Sequence, residues 1–174
     1  MSLNRFSAAW REEYVSSATR DEKLRGPGEC VFCALLSSGV SPDSGVIAIT
    51  DHSFVVLNAY PYGSGHVLVL PRRHLADMAD FGDDEADNFF RTLRRAVAAV
   101  TAAYSPDGAN VGFNLGRAAG AGIPQHLHGH VLPRWSGDTN FMTSIGETRV
   151  LPESLATTWS KVSAAWNNLA GERQ

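Results

Sequence analysis

Apolar residues recur along this chain at two spacings, and the two spacings predict two kinds of element. Phe89, Phe90, Leu93, Ala96, Val97 and Val100 fall on one stripe of a helix over residues 83–104. Asp83, Asp84 and Glu85 open it, where the helix dipole favours negative charge. Leu155, Trp159, Val162, Trp166 and Leu169 predict a second amphipathic helix over 152–170, its aromatic stripe read as packing. Phe6, Ala9, Trp10, Tyr14 and Val15, with Arg11, Glu12 and Glu13 between them, predict a shorter one within residues 2–20. Short apolar runs predict strands at 46–49, 54–58, 66–71, 110–115 and 126–132. Asp51, His52 and Ser53 turn the first of these back on the second as a hairpin. Residues 20–29 read as a linker, 34–45 as one helical turn and a loop, 60–65 as a loop, and 136–150 as an irregular loop. The sum is an α+β fold: about five antiparallel strands packed on the long helix, with further helices at the two ends.

Composition narrows the class. At 174 residues one domain with a good core is expected, and the net charge is −3. The mild acidity argues against a nucleic-acid partner, which calls for a basic face. No apolar run approaches the ~20 residues of a membrane span, and the N-terminus has no basic region leading into an apolar stretch. Two cysteines give no disulfide framework, so a cytoplasmic chain with reduced thiols is expected.

The chemistry concentrates in Gln125-His126-Leu127-His128-Gly129-His130-Val131-Leu132-Pro133. Three of the six histidines stand at i, i+2 and i+4. On a strand all three imidazoles project from one face; on a helix they scatter. Buried rings need hydrogen-bond partners or a metal. A neutral imidazole is nucleophilic near pH 7. His128, in the middle, is the natural attacker, with its neighbours holding its orientation. Cys30 and Cys33 form a Cys-x-x-Cys pair. Taken alone, the pair leaves metal ligation and plain structural cysteines both open. His66 reads as a hydrogen-bonded core histidine and His52 as exposed. Arg72, Arg73 and Arg134 are exposed strand-end residues on which no function is placed.

His126-Leu127-His128-Gly129-His130-Val131-Leu132 resembles the motif of the histidine triad (HIT) superfamily. Upstream segments match the same family in order: Cys30 to Cys33, Phe54 to Asn58, Pro61 to His74, and Asn114-Leu115-Gly116. The resemblance covers roughly residues 28–135. Pro133 to Phe141 further resembles bacterial members that cleave diadenosine tetraphosphate, phosphorylases among them. The resemblance implies a HIT-like fold: a single domain with core 28–135, an N-terminal helical extension 1–27, and a C-terminal loop and helix 136–174. It implies a dinucleoside polyphosphate or another adenine nucleotide as substrate. It also implies the residue roles. His128 attacks the α-phosphorus to form a nucleotidyl-histidine, which water or inorganic phosphate then resolves. His130 contacts phosphate oxygens or the leaving group, with His126 in support. Asn114 contacts phosphate, and Asn58 holds the ribose hydroxyls. Neighbours such as Phe54 and Leu57 line the base pocket or belong to the core. Some bacterial members pair Cys-x-x-Cys with two histidines, which maps onto Cys30, Cys33, His74 and His126 as a closed structural zinc site. No organic cofactor is expected. Family members usually pair as homodimers through the long helix and a strand.

Two departures from the family pattern bear on the reaction. Gly129 replaces a usual apolar residue on the side facing away from the triad. Where many relatives carry polar side chains that touch phosphate, this chain has Gly120-Ala121-Gly122-Ile123-Pro124-Gln125. The missing donors weaken the case for hydrolysis. Backbone N–H groups around Gly120 and Gly122, with Gln125, are left to cradle phosphate, with room for inorganic phosphate as acceptor. Two alternatives stay open: hydrolysis of nucleoside phosphoramidates, and a nucleotide-binding regulator with incidental turnover.

Overall fold

The computed structural model describes residues 30–138 and 153–171. The expected helix over 2–20, the linker over 20–29 and most of the loop over 136–150 lie outside them. The first element is helix α1 (Val31–Ser38), which begins at Cys30 and stops at Gly39, whose φ is 74°. This corrects the expectation of one helical turn after the cysteines. Ala34, Leu35 and Leu36 are good helix formers, and no glycine or proline interrupts them before Gly39. The helix takes in Cys33 and so places the two thiols one turn apart.

Strands β1 (Val46–Ile49), β2 (Ser53–Leu57) and β3 (Val67–Pro71) follow. Helix α2 (Asp83–Tyr104) has the bounds its pattern predicts. Strands β4 (Gly108–Phe113) and β5 (Gly129–Arg134) and helix α3 (Leu155–Gly171) complete the order. The five strands form one antiparallel sheet in the order β1-β2-β3-β5-β4. This is the expected α+β architecture. Among the described residues, no helix is long and apolar enough to cross a membrane.

Period two sends alternate residues to opposite sides of the sheet. One side carries Ile47, Val55, Leu57, Val67, Val69 and Val131 against Phe89, Leu93, Ala96 and Val100 of α2 and Val162 and Trp166 of α3. The aromatic stripe of α3 is thus packing, and Trp159 Nε1 donates to the Val46 carbonyl at 2.9 Å. The other side carries Val46, Phe54, Val56, Leu68 and Leu70 under Cys30 and Phe32. The helix that bears the cysteines therefore covers the face from which the histidines project.

Gly129 has a steric cause. A Cβ there would meet Phe113 Cε1 at 2.8 Å, and Phe113 is its partner in the β4–β5 register. The phenyl ring fills the space beside Gly129 that a side chain would need. Gly129→Ala is expected to lower stability by about 1–3 kcal/mol through overpacking. Thermal unfolding measures this, and a second change, Phe113→Leu, should recover part of the loss. An undiminished midpoint for Gly129→Ala alone would show that the ring moves aside freely.

Candidate functional site

The β3–β5 ladder runs only from Val67↔Val131 to Val69↔Gly129. The expected strand over 126–132 therefore starts late, at Gly129. Two positions further on, β3 ends in Pro71, which has no N–H to donate, and pairing stops there. Residues 126–128 are held by other means. Leu127 N–H donates to the Leu75 carbonyl at 2.7 Å, and His126 Nε2 to the Pro71 carbonyl at 2.9 Å. The period-two alternation nevertheless persists. His126 and His128 both face Phe32, with ring centroids at 5.7 and 5.4 Å, and His128 lies 5.1 Å from His130.

The hydrogen bonds assign each ring its tautomer by elimination, since a carbonyl can only accept and a backbone N–H can only donate. His128 Nδ1 lies 2.8 Å from the His126 carbonyl and so carries the proton, leaving Nε2 with the lone pair. His126 uses Nε2–H on the Pro71 carbonyl, which turns its Nδ1 lone pair toward the cysteines. Tyr62 N–H donates to His66 Nδ1 at 3.1 Å, so His66 carries its proton on Nε2. That proton points at His130 Nδ1, 3.0 Å away. His130 must then hold its own proton on Nε2. This atom is buried with no hydrogen-bond partner among the described residues.

Burial pushes all three triad imidazoles below the ordinary histidine range; for His126 and His128 a carbonyl acceptor partly opposes the shift. His130 falls to about 4, through burial first and the neighbouring His128 second. A folded-state value below the unfolded one makes a contribution that is present above about pH 6.5 and lost as pH falls toward 4. The His130 ring resonance is therefore expected to show no titration midpoint between pH 5 and 8 by NMR; a midpoint at or above 6 contradicts the assignment.

Cys30, Cys33, His74 and His126 come together as the family resemblance implied, their ligand atoms all within 4.8 Å of one another. Cys30 Sγ and Cys33 Sγ lie 3.4 and 3.7 Å from His126 Nδ1, and Cys33 Sγ lies 3.4 Å from His74 Nδ1. Sulfur and nitrogen ligands of a tetrahedral zinc, at ~2.3 and ~2.0 Å from the metal, stand about 3.5 Å apart. The four residues fit that ion. Burial, then the adjacent Cys30 sulfur, pushes the Cys33 thiol up to about 11.

Asn114 lies one residue beyond Phe113, the last paired residue of β4, and is half-buried. Asn58 is turned inward: its Oδ1 accepts from Tyr60 N–H at 3.0 Å and its Nδ2 lies 3.3 Å from His66 Nδ1. Gly120 has left-handed backbone, φ 92°, in the turn that leads through Gly122 to Gln125, and both ends of the Gln125 side chain are buried without a partner among the described residues. Phe54 and Leu57 are core residues, although the Phe54 ring lies 6.3 Å from His126. Arg73 is engaged by Glu85, Arg134 by Asp138 and Asn110, and Arg72 by the Thr50 and Asp51 carbonyls. His52 is exposed.

One residue was underrated from sequence. His66 is a core histidine at 1% exposure, as expected, but it also bonds the last triad ring. Gly65 before it has φ +76°, and a Cβ there would meet Pro133 Cγ and Tyr104 Cε2 at 2.8 Å, so the turn carrying His66 accepts only glycine.

Comparison with known proteins agrees with this geometry. The chain is 40% identical over 113 residues to the AP-4-A phosphorylase of Mycobacterium tuberculosis (strain ATCC 25618 / H37Rv), a match covering 65% of this chain and 58% of that protein. The chain thus spans somewhat over half the length of that relative. Its fold superposes on a zinc-bound histidine triad family protein of Mycobacterium smegmatis with TM-score 0.69 and 27% identity, over 85% of this chain and all of the other. The C. elegans NitFhit protein superposes with TM-score 0.57 and 28% identity, over 71% of this chain and 27% of that one. The HIT domain family model matches residues 40–137, more than half of the chain. With the triad, its order of elements and this match in agreement, the chain belongs to the HIT family.

Proposed function

We propose that this protein cleaves dinucleoside polyphosphates of the diadenosine tetraphosphate type through a nucleotidyl-histidine on His128, with inorganic phosphate as acceptor. The carrying observation is the 2.8 Å bond from His128 Nδ1–H to the His126 carbonyl, which leaves Nε2 nucleophilic. In this reading Nε2 attacks the α-phosphorus, the bond to the bridging oxygen breaks, and ATP leaves. His130 Nε2–H donates to a phosphoryl oxygen, where charge develops. An oxygen of inorganic phosphate then attacks the same phosphorus, the P–N bond breaks, and ADP leaves with His128 restored. Asn114, Gln125 and the backbone around Gly120 and Gly122 are read as the phosphate contacts, and Asn58 as a ribose contact on rotation of its amide. Phosphate as acceptor is favoured by the relative at 40% identity named for phosphorolysis, and by the glycine-rich turn that replaces polar side chains.

Zinc is proposed at Cys30, Cys33, His74 and His126, which fill a tetrahedral shell with no open position; its chemistry there is structural. The described residues are read as one domain, located in the cytoplasm. A homodimer is proposed across the edge of β4, which pairs only with β5 among the described residues. Val111 is 47% exposed on that strand and Leu115, just beyond it, 49%.

Turnover of diadenosine tetraphosphate, with products resolved, tests the reaction. The expected result is ADP and ATP, with a rate that depends on inorganic phosphate. AMP and ATP at a phosphate-independent rate would make water the acceptor. No turnover, with AMP still bound, would move the assignment to phosphoramidates or to a binding role.

A further inference from the structure

The three residues that present the nucleophile lie outside the sheet's hydrogen-bond ladder, which ends at Gly129. Ladder hydrogen bonds ordinarily hold a strand residue in register. Here His126 and Leu127 rely instead on the Pro71 and Leu75 carbonyls and on the His126 side chain. That side chain ends among Cys30, Cys33 and His74, and it is fully buried. The carbonyl of the same residue accepts the Nδ1–H of His128. A second route joins the same two places: Phe32, between the two cysteines on α1, packs against both His126 and His128.

We infer that the four-residue site is a positioning device for the nucleophile, with bound zinc setting the tautomer and orientation of His128 through the His126 main chain and Phe32. Zinc here replaces the missing ladder bonds. Cys30, Cys33 and His74 are then positioning residues for the reaction, although none faces the substrate. The inference rests on the reading of His128 as nucleophile and of the cluster as a zinc site.

The test compares full-length protein, labelled with 15N-histidine, before and after zinc removal by a chelator, with His74→Ala beside it. Zinc content, the His128 ring tautomer, Leu127 amide exchange and steady-state kinetics are read on the same samples. The His130 ring, on the regular ladder, serves as internal control. Zinc loss is expected to mix the His128 tautomers and speed Leu127 exchange while His130 stays unchanged. It should lower kcat about tenfold to a hundredfold, the range seen when groups supporting a site are lost, with KM within about threefold. One equivalent of zinc whose removal lowers only the unfolding temperature, leaving the His128 tautomer and kcat intact, overturns the inference and spares the zinc reading. Absence of zinc from the purified protein overturns both.

Discussion

Replacing His128 by alanine is expected to lower turnover of diadenosine tetraphosphate by on the order of 10⁴-fold or more, the scale on which covalent catalysis fails when its nucleophile is removed. AMP affinity should change by less than about threefold, because the groups read as holding the nucleotide lie elsewhere, at Asn58, Asn114, Gln125 and the glycine-rich turn. The asymmetry follows from the geometry. His128 is the triad ring whose lone-pair nitrogen is set by a carbonyl, while His130 presents a proton and His126 turns its lone pair to the cysteines. Neither neighbour can substitute for it. Wild-type protein mixed with substrate and denatured at alkaline pH, where the P–N bond survives, should carry one adenylyl group by intact mass, and the alanine variant none. A variant that retains kcat within tenfold of wild type would exclude the covalent route.

The fold was legible because its signals are local and strong. The 22-residue helix α2 matches its predicted bounds, with an amphipathic stripe and three acids in its first turn. The hairpin of β1 and β2 follows from two short apolar runs around Asp51 and His52. The features that were not legible depend on long-range pairing. No local pattern shows that β5 pairs with β3, so nothing in the sequence indicates that Pro71 ends the ladder before His128. The same register makes His66 a neighbour of His130: Leu68 pairs with His130, and His66 lies two residues from Leu68 on the same face. The four zinc-type ligands are spread over almost a hundred residues. Only the resemblance to a family assembled them, and only the folded chain shows that their spacing suits a tetrahedral ion. Gly129 looked like a departure, but its cause sits across the sheet in Phe113.

Removing the cation from the Cys30, Cys33, His74 and His126 site is expected to lower the unfolding midpoint by roughly 10 °C. The magnitude comes from linkage: an ion bound only by the folded chain, at about a thousand times its dissociation constant, contributes about 4 kcal/mol. In a domain of this size each kcal/mol shifts the midpoint by roughly 2–4 °C. The effect should stay short of complete unfolding, unlike in small zinc modules. Most of the core, including Val55, Val67, Val69, Phe89 and Val100, lies on the opposite side of the sheet and does not depend on the site. Cys33→Ser should reproduce most of the loss and abolish its sensitivity to chelator. The pH dependence has a definite sign. With the Cys33 thiol held near 11 by burial, the metal must displace its proton, so binding releases protons and tightens as pH rises. The gap between loaded and chelated midpoints should therefore widen from pH 6 to pH 8. A gap that is absent, or that narrows over this range, would remove zinc from the account of this fold and leave Cys30 and Cys33 as packing residues under β2 and β3.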